Sequence, residues 1–177
     1  ADDWSYPDRI EKQVKYMDEH PEIVLLSGNM EMCDENMTVK NRTHFPTSHE
    51  EIMDVILQFN PTVHSAMIYR RETFLEVGGY DNINTSEDYL LTMKMASKGK
   101  LGNLEDILVK YRVSNSSLTA KSPMDMHLAT LYCAFDGHLK YKYPITFKTK
   151  IVTLTRLFIA YFVPARLWRF ISTVLRK

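Results

Sequence analysis

Two short acidic stretches carry the residues whose types and spacing could do chemistry. In "GGYDNINTSEDYLL", Gly78 to Leu91, a polar loop leads from a glycine pair to Glu87 and Asp88. Paired glycines let backbone approach a ligand closely, and a carboxylate presented where a loop enters a helix can accept a proton from a hydroxyl nucleophile. Acids in a first helical turn are also what free N–H groups and the helix dipole favour, and that role needs no catalysis. In "ADDWSYPDRIEKQ", Ala1 to Gln13, Asp2 and Asp3 are oxygen ligands of the kind taken by a hard cation such as Mg²⁺ or Mn²⁺. The same pair could cap a helix or sit in solvent.

The elements that must position these residues follow from pattern. Pro7 suits a first helical turn, Ile10, Val14 and Met17 recur at helical spacing, and His20-Pro21 closes the helix. "EIVLLSG" reads as a buried strand. Ser48 and Glu51 form a capping-box pattern that predicts a helix from His49 to Phe59. After Asn60-Pro61, "TVHSAMIYR" is rich in strand-forming residues. A short helix from Glu72 is expected to stop at Gly78-Gly79 through a left-handed turn, and Ser86 to cap the next, with Leu90, Met93 and Ala96 on one side. A last strand is expected from Ile107 to Val113, and "SNSSLTAKSP" as a loop. From Met124 the pattern is helical to the end, with breaks at Pro144 and Pro164. Mixed strands and helices followed by a helical tail predict an α/β sheet domain over 1–120 with a helical, basic segment over 121–177.

Bulk properties exclude more than they select. With 22 basic and 22 acidic side chains the formal net charge is zero, which gives no bias toward nucleic acid. Cys33 and Cys133 form no metal-type cluster, and two packed, reduced thiols in a cytoplasmic setting are expected rather than a disulfide. The acidic opening is not a secretory signal, and the absence of a starting methionine leads us to expect a piece of a longer or processed chain. From Gly137 to Lys177 there is no Asp or Glu, while lysines and arginines alternate with aromatic and aliphatic residues. The longest uncharged apolar run there is too short to span a bilayer. It can lie as a basic amphipathic surface on anionic lipid, peripheral to a membrane, or dock on the sheet domain.

Taken in order, the motifs resemble one family. "ADDWSYPDRIEKQVKYMDEHPEIVLLSG" is similar to the segment of family 2-type nucleotide-sugar glycosyltransferases that begins inside their Asp-x-Asp motif and continues with a Pro-x-Arg-(Leu/Ile)-Glu-Lys-Gln helix. "NPTVHSAMIYRRETFLEVGGYDNINTSEDYLLTMKMASKGK" resembles the family's acceptor-side stretch, and "LEDILVKYRVSNSSLT" its final strand and Tyr-Arg turn. The resemblance covers Ala1 to Thr119. It implies the acceptor-side portion of a GT-A fold, with transfer of a sugar from a nucleotide-sugar donor to an acceptor hydroxyl with inversion, in cell-surface polysaccharide or glycolipid synthesis. Asp88 matches the general base and Glu87 its acceptor-side neighbour. Asp2 matches the second acid of the metal motif, the first of which would lie immediately before Ala1, and Asp3 stands beside it.

The physical demands of that reaction match those roles. Inverting transfer needs a carboxylate on the face opposite the leaving group and a cation to neutralise the departing diphosphate. Two departures stand out. Tyr111-Arg112-Val113 is followed by Ser114 and Asn115, where many family members have a histidine, and the family's upstream nucleotide-binding strands have no counterpart here. The chain alone is therefore expected to bind donor weakly and to be inactive. His64 can line a donor or acceptor pocket or be a structural histidine. Gly79 belongs to the turn that approaches substrate, and Tyr80 and Trp4 can stack on sugar faces or pack in a core. Arg70 and Arg71 read as a solvated pair or as helix contacts rather than as phosphate ligands. A rival function, a noncatalytic carbohydrate-binding or membrane-associated module of the same fold, stays open on sequence alone.

Overall fold

The computed structural model describes residues 2–83, 85–113 and 123–162. They form an α/β architecture built on a mixed five-stranded sheet. In chain order the elements are β1 (Trp4–Ser5), α1 (Arg9–Glu19), β2 (Ile23–Cys33), β3 (Val39–Arg42), α2 (His49–Val55), a 3₁₀ turn (His64–Ala66), β4 (Ile68–Tyr69), α3 (Arg71–Glu76), α4 (Glu87–Ala96), β5 (Lys100–Arg112), α5 (Pro123–Tyr141) and α6 (Phe147–Phe162). Strand order is β1-β5-β2-β3, with β4 also on β2. β5 runs parallel to β2, and β1, β3 and β4 pair antiparallel.

β2 is covered on both faces. Leu25 packs with Ile52, Leu90, Met93, Cys133 and Tyr143, which brings α2, α4 and α5 onto one side, whereas Leu26 packs with Met17 of α1. Both leucines are fully buried, each worth roughly 1.5–3 kcal/mol. β4 and β3 share one edge of β2, β4 at Leu25 and Leu26, β3 at Glu31 to Cys33. Between them a loop replaces a strand: Val63 N–H donates to Ser27 Oγ at 3.0 Å, and that hydroxyl donates back to the Val63 carbonyl at 3.2 Å. Segment 60–66 is thereby laid against the sheet.

Several elements depart from the sequence reading for identifiable reasons. In α1 the buried residues are Gln13 and Met17, while Ile10 and Val14 are exposed. The helix turns Gln13 inward, where its amide donates to the Ala66 carbonyl at 2.7 Å and to that of Leu26 at 3.4 Å. "TVHSAMIYR" is mostly a 3₁₀ turn, with only Ile68–Tyr69 in a strand. The second helix stops at Val55, before Phe59, and the Ile56 carbonyl accepts instead from the Tyr89 hydroxyl. β2 and β5 run longer than their apolar cores. Arg70 makes helix contacts, donating to the carbonyls of Met17 and Ile23 and so closing the end of α1. Both cysteines are free and buried. The helix break at Pro144 is present, and that at Pro164 lies outside the described residues.

The two expected helix caps differ. Ser48 forms the full capping box with Glu51. Ser86 occupies the cap position in a left-handed conformation, φ 64°, with no side-chain cap bond. We expect Ser48→Ala to lower stability by about 1 kcal/mol and Ser86→Ala to change it by less than about 0.5 kcal/mol, read as shifts in urea midpoint.

Candidate active site

Since Ser86 does not serve the N–H groups that open α4, Asp88 does: its carboxylate accepts from backbone N–H of its own first turn. Asp88 Oδ2 also accepts from Asn60 Nδ2 at 3.0 Å. The carboxyl is half-buried, and burial pushes its pKa above the ordinary value. A protonated His64 nearby opposes that shift, and the negative charge of Glu87 reinforces it. A carboxylate made more basic by its surroundings, yet reachable from solvent, is what a proton acceptor requires.

Tyr80 and His64 complete the cluster. His64 Nε2 lies 3.0 Å from the Tyr80 hydroxyl, and both side chains are exposed. Tyr80 sits edge-on to Phe74, which stacks on Tyr69. Burial raises the Tyr80 pKa, the Tyr69 hydroxyl adds to this by hydrogen bonding, and the charges of Asp88 and Glu87 add further. The structure thus brings Glu87, Asp88, His64, Gly79 and Tyr80 into one neighbourhood, from α4, the 3₁₀ turn and the glycine turn.

The glycine turn has the predicted left-handed form, with φ 78° at Gly78 and 63° at Gly79. α4 anchors it: Lys94 Nζ donates to the Gly79 carbonyl at 3.0 Å and to Asp81 Oδ1 at 2.8 Å. A Cβ at Gly79 would meet Phe74 Cζ at 2.9 Å, whereas one at Gly78 meets nothing within 4 Å. Gly79→Ala is therefore expected to cost roughly 2–3 kcal/mol, backbone strain plus a displaced Phe74, and Gly78→Ala only the strain of about 1–2 kcal/mol. Denaturant midpoints for the two variants check the difference.

Asp2, Asp3 and Trp4 lie on the other flank, at the β1–β5 edge. Asp3 Oδ1 accepts the Arg112 N–H at 3.1 Å. Trp4 pairs with Lys110 across the strands, packs edge-on against Tyr6 at 4.7 Å, and has the Lys110 ammonium 5.5 Å from its ring. Tyr6 in turn donates to Glu31, a nearly buried carboxylate that also accepts from Arg42. Among the described residues no group of three or more His, Cys, Asp or Glu side chains could hold a metal. Asp2 and Asp3 fit Mg²⁺ or Mn²⁺ in donor type but contribute only part of a coordination shell.

Sequence reasoning missed the residues that hold this site together. Thr62 donates to Asn60 Oδ1 at 2.7 Å and lies 3.1 Å from the Thr92 hydroxyl, which donates to the Asp88 carbonyl at 2.9 Å. Asn103 Nδ2 donates to the carbonyls of Pro46 at 2.7 Å and Pro61 at 2.9 Å. Asn29 Oδ1 accepts from Phe45 N–H at 2.8 Å. The available signal was only that of small polar residues, Asn29 and Asn103 at inward positions of strands, Thr92 within a helix and Asn60 and Thr62 in a loop, which a hydropathy reading treats as interruptions or as surface.

No family model matches the chain. Curated relatives do. An uncharacterized glycosyltransferase of Haemophilus influenzae is 33% identical over 123 residues, 68% of this chain and 45% of that protein. The amylovoran biosynthesis glycosyltransferase AmsE of Erwinia amylovora is 30% identical over 122 residues, 68% of this chain and 46% of that protein. The UDP-Gal:alpha-D-GlcNAc-diphosphoundecaprenol beta-1,3-galactosyltransferase of Escherichia coli is 27% identical over 118 residues, 66% of this chain and 43% of that protein. The chain spans about half the length of the curated relatives it matches. Over two thirds of its own length it is similar to glycosyltransferases, among them enzymes named for polysaccharide and O-antigen biosynthesis.

Proposed function

We propose that this chain is the acceptor-side part of an inverting glycosyltransferase of GT-A type, which transfers a sugar from a nucleotide-sugar donor to a hydroxyl of a carbohydrate or lipid-linked acceptor. The observation that carries this reading is Asp88: a half-buried carboxylate of raised basicity, fixed by Asn60 and by its own helix, beside the exposed His64–Tyr80 pair. The acceptor oxygen attacks the anomeric carbon as the bond from that carbon to the diphosphate oxygen breaks. The diphosphate leaves with the electron pair, and Asp88 takes the hydroxyl proton. His64 and Tyr80 offer hydrogen bonds and an aromatic face to the acceptor sugar, Gly79 lets that turn come close, and Glu87 stands next to the base. Trp4 would offer a further aromatic face to a sugar. Asp2, with Asp3 beside it, would help hold Mg²⁺ or Mn²⁺, which neutralises charge on the leaving diphosphate when bound. The test is transfer by the full-length protein from labelled nucleotide-sugars. Release of nucleoside diphosphate together with a glycosylated product is expected, and no transfer from any such donor would refute the reading.

The acceptor is reached, in this proposal, at an anionic membrane surface. Tyr132, Phe135 and Leu139 on α5, and Ile151, Leu154 and Phe158 on α6, recur at helical spacing and are all exposed. The segment from Gly137 onward carries positive charge only. Among the described residues no helix is long and apolar enough to cross a membrane, so the contact would be peripheral. The chain is expected to sediment with anionic vesicles at low salt and to be released as salt rises. Failure to sediment at low salt would contradict this part of the proposal.

A further inference from the structure

A base must be held in one direction as well as kept available for a proton. A closed ring of contacts leads from the Asp88 carboxylate back to its own backbone. Asn60 Nδ2 donates to Asp88 Oδ2 at 3.0 Å, and Thr62 donates to Asn60 Oδ1 at 2.7 Å. The Thr62 and Thr92 hydroxyls are 3.1 Å apart, and Thr92 lies 2.9 Å from the Asp88 carbonyl. The hydrogens can be assigned consistently. Thr62 has one and gives it to Asn60, so the single hydrogen of Thr92 is shared between Thr62 Oγ1 and the Asp88 carbonyl. The Asn60 carbonyl oxygen is thereby held toward Thr62, which fixes the amide N–H₂ on Asp88 and prevents the amide from flipping.

The ring stands on rigid supports. The Pro61 carbonyl is held by Asn103, the Val63 backbone by Ser27 on both its N–H and its C=O, and the buried Thr62 and Thr92 side chains are out of water. The same segment continues into His64, which meets Tyr80. One stretch of chain therefore presents Asn60 to the carboxylate and His64 to Tyr80.

We infer that Asn60, oriented by Thr62 and Thr92, is a positioning residue for Asp88: it occupies Oδ2 with an N–H that cannot accept a proton and so sets the direction in which the carboxylate meets the acceptor hydroxyl. This rests on the reading of Asp88 as the base. A hydrogen bond to the charged form also favours that form, so removing it raises the carboxylate's affinity for protons. The other charged and titratable groups around Asp88 are Glu87 on its own helix, His64 from the 3₁₀ turn, Tyr80 from the glycine turn and Cys133 from α5, with Asp81 and Asp136 beyond Cys133. None of them is altered by a change at Asn60.

The test combines two readouts. In the 177-residue chain, carbon-13 NMR of the Asp88 carboxyl should show its titration midpoint rising in Asn60→Ala. It should rise further in Asn60→Asp, where a second carboxylate faces it, and less in Thr62→Val. In the full-length protein, Asn60→Ala should lower kcat at neutral pH roughly 10- to 100-fold, the range for losing a hydrogen bond to a charged group. The acid limb of its kcat/KM profile should move to higher pH, while donor KM stays within about twofold. If Asn60→Ala does not fold, Thr62→Val decides the matter by the same midpoint and limb. An unmoved midpoint, or a loss of activity equal at every pH with the limb unshifted, would overturn the inference. Retained turnover in Asp88→Asn would instead remove the base reading, and the NMR midpoints would still report whether Asn60 governs this carboxylate.

Discussion

Asp88→Asn is expected to lower sugar transfer by the full-length protein at least about 10²- to 10⁴-fold, the usual contribution of a positioned general base, and at the same time to make the fold more stable at neutral pH. Loss of turnover follows because an amide cannot take the acceptor's proton. The gain in stability follows from sign. Burial raises the Asp88 pKa, with Glu87 acting in the same direction and a protonated His64 against it. A carboxyl whose folded pKa lies above its unfolded value is favoured in the folded state while protonated. That advantage is lost as pH rises through the folded value, so at neutral pH the ionised group is a burden. Asn removes the charge while keeping an oxygen for the Asn60 amide. The weaker interaction with the helix dipole subtracts a few tenths of a kcal/mol. The melting temperature should rise by a few degrees, the scale that ~1 kcal/mol produces in a domain of this size. The difference from wild type should shrink as pH falls through the raised value into the ordinary carboxylate range. A variant that is both less active and less stable would mean that Asp88 is a structural cap whose charge the fold prefers.

The second large effect is expected far from any substrate. Asn103→Ala removes the donor shared by the Pro46 and Pro61 carbonyls, in a side chain that is 3% exposed. One buried and one partly buried acceptor losing their partner cost together about 2–3 kcal/mol, which corresponds to a fall in melting temperature of roughly 4–12 °C. Among the described residues Asn103 Oδ1 is itself buried without a partner. The sheet thus tolerates an orphaned oxygen there, and the two bonds made by the nitrogen are the reason for an amide at this position. Since the Pro61 carbonyl lies on the segment carrying Asn60, Thr62 and His64, activity should fall with stability. Lys100→Ala, at an exposed position on the same strand, should leave both unchanged. Thermal unfolding of the two variants separates these outcomes.

How far the sequence could be read depended on whether a residue's partner was near it in the chain. The Ser48 capping box and the left-handed glycines were legible because their physics is local, complete within a few residues. Ser86 misled for the same reason: a serine before two acids has the form of a cap, but here its backbone is left-handed and its side chain makes no cap bond. Gln13, Ser27, Asn29 and Asn103 were not legible, since each is buried only because a carbonyl or N–H far along the chain needs it. β2 continues past Gly28 to Cys33, although Asn29 and Glu31 are residue types of the surface. Glu31 is nearly buried, and although burial opposes its charge, hydrogen bonds from Tyr6 and Arg42 and the charge of Lys110 hold its carboxyl below the ordinary value. β3, with all four residues exposed, offered no hydrophobic pattern at all.

The neighbourhood of the candidate site was reached by a different route. Nothing in the spacing of His64, Tyr80 and Asp88 says that they meet; the resemblance placed them on one side, and hydrogen bonds and electrostatics join them. The second flank, with Asp2, Asp3 and Trp4, was equally visible as sequence. Its residues are engaged with β5, where Asp3 holds the Arg112 N–H and Trp4 packs with Tyr6 and Lys110.

The most direct measurement is transfer by the full-length wild-type protein and by Asp88→Asn, followed side by side, with the anomeric configuration of the product read by NMR. If Asp88 is the base of an inverting transfer, wild type gives product of configuration opposite to the donor, and the variant, still folded, gives almost none. Product of retained configuration, or turnover undiminished in the variant, would contradict it.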